Sequence, residues 1–177
     1  MNAKPIVTLA RACLAGTCLL LMSTAHSAVP DNIKVPDGHK IALQTVGIGE
    51  ITYECRAKAD SPEQTEWVFV GPNAVLKDRS GKAVGRYFGP PATWQAEDGS
   101  KVTGTQLAVA PSSPGNLPYQ LVKANPAEGQ GAMTGVTYIQ RVALKGGVAP
   151  TSPCGAAQKG SREVVNYQAD YIFWAAQ

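Results

Sequence analysis

Histidine is nearly missing from this chain, with His26 and His39 the only two in 177 residues. That removes the usual donors of a zinc centre. A Ser–His–Asp triad is left with one weakly placed base, His39 in the turn Pro36-Asp37-Gly38-His39, and no G-x-S-x-G elbow carries a nucleophilic serine. Charged residues are also sparse, at 16% of the chain, and no run of one sign occurs. The nearest thing to a basic patch is Lys77, Arg79, Lys82 and Arg86, with Asp78 among them. It is too thin to neutralise a phosphate backbone, so nucleic acid is excluded as a partner. Carboxylates in zinc or calcium spacing are lacking as well, so no metal is expected. Beyond residue 28 no apolar run approaches the roughly 20 residues a bilayer span needs, and almost no helical period is present.

The one apolar run lies at the start. Lys4 and Arg11 precede Ala12–Met22, and small residues follow, with cleavage sites at Ala25, Ser27 and Ala28. This is the pattern of an export signal, residues 1–28, removed to leave one domain at 29–177. A retained membrane anchor and a lipidated Cys18 are the alternatives. Loss of Lys4 and Arg11 leaves 14 basic against 13 acidic residues, a net charge of +1. The basic character of the whole chain therefore belongs partly to its leader. Export places the mature protein in the periplasm or outside the cell. Of 4 cysteines, Cys55 and Cys154 survive cleavage, and in an oxidising compartment they are expected to form one disulfide.

What remains alternates. Ile51, Tyr53 and Cys55 share one face of a segment whose other face carries Thr52, Glu54 and Arg56, the period of a half-buried strand. Trp67–Val70 is a β-rich run that Gly71-Pro72 should stop. Val136–Val142 is apolar on both faces and so central, and Tyr167, Ala169, Tyr171 and Phe173 align along the last segment. Arg79-Ser80-Gly81-Lys82 and Glu97-Asp98-Gly99-Ser100 place glycine where a tight reversal needs positive φ. They predict hairpins joining 74–76 to 83–87 and 93–95 to 102–107. Residues 117–124 fit a strand or a helical turn equally. Short strands at close spacing predict a single antiparallel β-sandwich, with a closed or partly open barrel as the alternative.

Several of these pieces carry a resemblance. Gly49-x-x-x-Tyr53-x-Cys55, Trp67-x-Phe69-x-x-Pro72-x-Ala74-x-Leu76, Val136-Thr137-x-Ile139-Gln140-Arg141, Gly146-Gly147-x-Ala149-Pro150-x-x-x-Cys154 and Tyr167-x-Ala169-Asp170-Tyr171-x-Phe173 resemble, in order, a bacterial and fungal family of secreted proteins. It is known as domain of unknown function number 3455. This chain departs from the pattern at Tyr87, Ile51 and Ala143-Leu144. The resemblance implies no established activity, although some fungal members bear the label malate dehydrogenase. That label requires G-x-G-x-x-G between a strand and a helix. Gly47-Ile48-Gly49 and Gly129-Gln130-Gly131 supply two glycines each and run on into β-type sequence. No nicotinamide cofactor is expected, and no malate dehydrogenase activity.

The candidate ligand-binding residues are Arg141, Gln140, Trp94 and Asp98. Gln140 is expected on one face with Val136, Tyr138 and Val142, and Arg141 on the other with Ile139 and Ala143. A covered strand would then bury an amide and a guanidinium, which must find partners. Arg141 is expected to pair internally with Asp170 or Asp98; the functional alternative is a pocket where it meets an anion beside a Trp94 wall. Trp67, Trp94 and Trp174 supply rigid aromatics, with Trp67 assigned to the core. The leading expectation is an exported, non-enzymatic binding module for a glycan, an envelope component or a protein. The alternative is a small secreted hydrolase using carboxylates such as Asp98. A cleft with two carboxylates, or Asp98 beside His39, would separate the second from the first.

Overall fold

The computed structural model describes residues 29–177, so the leader expected at 1–28 lies outside the described residues. Eight strands follow one another: β1 (His39–Ala57), β2 (Thr65–Lys77), β3 (Ala83–Phe88), β4 (Thr93–Ala96), β5 (Lys101–Ala110), β6 (Tyr119–Ala124), β7 (Val136–Gly146) and β8 (Arg162–Ala176). Each pairs antiparallel with the next, and β8 returns to pair with β1, so the sheet closes into a barrel. The all-β class therefore stands, and of the two expected arrangements the closed barrel is the one present. Closure pairs every strand on both sides over part of its length, although the ends of the longer strands, such as residues 65–72 of β2, have a neighbour on one side only. The undecided segment 117–124 is largely strand β6.

Both glycine hairpins form as read, with Gly81 at φ 86° and Gly99 at φ 89°. Ala74 pairs with Tyr87, and Trp94 with Val102. Two expectations need correction. First, Gly71-Pro72 does not stop its strand; β2 runs on to Lys77, with a register shift beside Thr52. Pro72 lies one residue before the β3 ladder begins at Asn73, where its missing N–H costs no bond. Second, two irregularities in β7 change its faces, one between Val136 and Tyr138 and one between Val142 and Lys145. They turn Val136 and Leu144 toward the main core, while Tyr138 and Val142 pack outside it. Ala143, at φ 50°, is exposed in the second irregularity.

The interior is filled by Ile51, Leu76, Trp94, Val102, Ile139, Tyr171 and Phe173. Gly47 and Gly49 make room for it: a Cβ on Gly47 would lie 2.8 Å from the Tyr171 ring. The glycine pair that suggested a nucleotide loop is thus part of the barrel wall in β1. At one end, the β6–β7 loop folds under the barrel and inserts Met133, which is 1% exposed. On the outside, the segment before β1 forms a strap. Its short 3-10 turn, Asp31–Ile33, buries Ile33 against Ala110 and Leu121. At the other end, the long β7–β8 loop is tied to β1 by the Cys55–Cys154 disulfide. Trp67 supports that loop, its indole N–H donating to Ser152 O at 3.0 Å.

Candidate functional site

Opposite the Met133 plug the barrel opens into a lumen of about 340 Å³. Phe69 and Pro72 of β2, Pro90 and Ala92 of the β3–β4 loop, and Leu117 and Pro118 of the β5–β6 loop surround its mouth. Deeper in, Tyr87 and Trp94 form one wall, their rings 4.8 Å apart and only 19° from parallel. They are adjacent because β3 and β4 pair Tyr87 with Trp94 directly. Tyr171 closes on both rings, at 5.0 Å and 5.7 Å. Packing inside a taper selects such flat side chains, which fill volume while holding one orientation.

The opposite wall is polar. Gln120 pairs with Arg141 across the β6–β7 ladder, and Arg141 pairs with Tyr171 across β7–β8, so these residues face the same interior. Gln120 also donates from its amide to Gln106 Oε1 at 2.6 Å. Arg141 donates from Nη2 to Pro118 O at 2.9 Å. Its Nε is enclosed and has no acceptor, and Trp94 Nε1 is in the same condition. An enclosed donor without a partner is unfavourable by about 1–3 kcal/mol.

No carboxylate meets Arg141 among the described residues, whose ion pairs are Lys34–Asp31, Arg56–Glu54, Lys101–Glu128 and Arg162–Glu54. The expected pairing with Asp170 or Asp98 is therefore corrected. Asp170 lies between the inward-facing Ala169 and Tyr171 and so points outward, beside Gln44 and Arg79. Tyrosinate does not balance Arg141 either. Burial first, against the opposing pull of Arg141, raises the hydroxyl pKa of Tyr53, Tyr87, Tyr167 and Tyr171. These phenols stay neutral at physiological pH. Tyr53 donates to Gly147 O at 2.7 Å, and the hydroxyls of Tyr167 and Tyr171 bond each other.

A family model described as Protein of unknown function (DUF3455) matches residues 36–175, from the end of the strap to the penultimate residue of β8. The chain belongs to the DUF3455 family. No curated protein and no solved structure matches it.

Of the four residues singled out in this DUF3455 chain, the lumen brings together Arg141 and Trp94. Gln140 points to the other side of β7, where its amide donates to Ile33 O at 2.8 Å and holds the strap. Asp98 belongs to the closed end. Its carboxylate accepts from Ser100 N and Oγ at 2.9 and 2.6 Å and from Ala132 N at 2.7 Å. Ser100 Oγ in turn accepts from Met133 N at 3.1 Å, so Asp98 pins the plug. His39 is elsewhere again, its ring edge-on to Tyr138. Sequence reading missed Tyr87, Gln106, Gln120 and the rim residue Phe69. Tyr87 was recoverable in part, because it ends the segment 83–87 that directly precedes the one carrying Trp94, although the pairing of those two strands is seen only in the structure. The glutamines were not, because a shift in β5 between Gln106 and Ala108 decides which way that wall faces.

Proposed function

We propose that this DUF3455 protein is an exported, non-enzymatic binding module that holds a small organic ligand inside its barrel. The observation that carries this reading is the open lumen itself, with a stacked Tyr87–Trp94 wall facing an arginine that has no acidic partner. Pockets of roughly 300–1,000 Å³ lined by apolar and aromatic groups with a few placed polar ones are the common form of small-ligand sites. An eight-stranded barrel has about the interior such a ligand needs. The surface-glycan variant is less favoured, since Trp94 is 1% exposed and offers no outer platform. The hydrolase alternative lacks support in the lining, whose ionisable side chains are Arg141 and Tyr87. Asp98, its intended acid, is occupied at the far end.

Export to the periplasm or beyond is supported by the leader pattern and by the disulfide, a bond that persists in oxidising compartments. No helix among the described residues is long and apolar enough to cross a membrane. The barrel's patterning also speaks for an aqueous setting. Its packed core is apolar, while Glu50, Arg56, Glu66, Arg86 and Lys123 lie exposed outside, where a membrane barrel carries an apolar band.

Protein labelled at its tryptophan indole nitrogens and titrated with indole, a flat neutral probe, tests the reading. The Trp94 resonance should move saturably while that of Trp67, bonded at Ser152, stays in place. Gln120→Phe, which fills the lumen from its wall, should abolish the shift. A Trp94 resonance indifferent to the probe would overturn the proposal.

A further inference from the structure

Resting on the lumen as ligand site, we infer that the ligand is a monoanionic carboxylate on a flat ring system, bound with its carboxylate on Arg141 and its ring against Tyr87 and Trp94. Three observations lead there. The first is charge. Arg141 is the only cationic side chain of the lining, no acid shares the cavity, and no ion pair satisfies it among the described residues. One guanidinium in a confined site balances one negative charge. A phosphate dianion would bring a second charge with no cation to meet it, which burial disfavours.

The second is hydrogen-bonding polarity. Arg141 Nε and Trp94 Nε1, which lack partners, are both donors but are enclosed, so the polar group that the lumen itself meets on this wall is the end of the Arg141 guanidinium. Such a site asks for acceptors. Pro118 O takes one bond from Nη2, and the planar fork still has donors left for a carboxylate, the anion whose geometry it fits. The third is shape. Tyr87 and Trp94 stack on each other as a deep aromatic floor with little exposed area, and the opening at Phe69, Pro90 and Leu117 supplies the larger apolar surface. A cavity of roughly 150 Å³ accepts benzene. The 340 Å³ available here therefore suits two fused rings with a carboxylate better than a single ring.

The test compares naphthoate, naphthamide and naphthyl phosphate on the full mature protein, disulfide intact, followed by the Trp94 indole resonance with Trp67 as internal reference. Naphthoate should bind about tenfold or more tightly than the isosteric amide, since its charge adds a charge-assisted bond. It should also outbind the phosphate. In Arg141→Gln the acid should fall to the level of the amide while the amide is unchanged. Arg141→Lys should keep only part of the preference, because the ammonium is a point charge without the fork. Unmoved Trp67 and Tyr53 signals certify that each variant is folded. Equal affinity for acid and amide in the parent protein overturns the charge assignment and leaves the lumen reading standing. Tighter phosphate binding overturns the monoanion. Failure of all three probes to move Trp94 overturns both readings together.

Discussion

Arg141 shows how much a single residue can be read from its surroundings. The alternation of β7 made its burial legible in the sequence, but its neighbours depend on where the sheet closes and on two irregularities in the strand. Of its predicted carboxylate partners, Asp170 therefore lies on the neighbouring strand but on its outer face, and Asp98 lies in the turn at the closed end. The consequence for stability is specific. Breaking a buried ion pair costs about 3–5 kcal/mol because a charge is left unmet. Arg141 has no such pair, so Arg141→Met removes a desolvated charge and an unpartnered N–H together. The urea midpoint should stay level or rise, measured at neutral pH with the disulfide intact. A drop of the size expected for a broken pair would mean that a carboxylate reaches Arg141 in solution.

Two elements pack onto the barrel, the strap on its outside and the plug at one end, and each gives its own prediction. The strap depends on Ile33, fully buried against Ala110 and Leu121, and on the Gln140 amide that donates to its carbonyl. Ile33→Ala should cost about 2–5 kcal/mol as a core truncation, and denaturant titration of the two proteins measures it. The strap was invisible beforehand: Val29, Ile33 and Val35, which pack together there, stand among prolines and polar residues with no strand or helix period, and Gln140 looked like a ligand group for want of its partner. The plug depends on Asp98. The Ser100 hydroxyl first, then the Ala132 and Ser100 amides, hold its carboxyl below the ordinary value. A lowered folded pKa means that the contribution is complete above the unfolded value of about 3.9 and fades as pH falls through the folded one. Amide exchange at Ala132 and Met133 should therefore accelerate, relative to the barrel strands, only below about pH 4. Asp98→Asn should show that acceleration at neutral pH. A plug equally protected in both proteins would show that the carboxylate does not pin it. Here the sequence had the turn right, and the adjacent Gly-rich loop carried no sign that it would fold back onto it.

At the scale of the molecule, the strands and hairpins were legible because each is local, whereas the closure was not. Inward and outward alternation is the same in a sandwich and in a barrel, and the difference lies in one long-range ladder, β1 with β8, joining the two ends of the domain. The disulfide guards that seam. Cys55 lies next to Glu54, which pairs with Arg162 at the seam's last register position, and Cys154 anchors the loop that leads into β8. Bridging residues 99 apart in sequence restricts an unfolded chain by up to about 4.7 kcal/mol in the loop-entropy account, and native bridges typically give about 2–5 kcal/mol. Cys55→Ser with Cys154→Ser should lower the unfolding free energy within that range. The folded barrel should nonetheless persist, because the β1–β8 ladder and the core behind it do not pass through the sulfurs. Hydrogen exchange separates the two statements: protection should fall across residues 147–161 and at the Glu54–Arg162 end of the seam, and hold at Tyr167, Ala169 and Tyr171. Loss of protection throughout β8 would show instead that the bridge, and not the ladder, is what keeps the barrel closed.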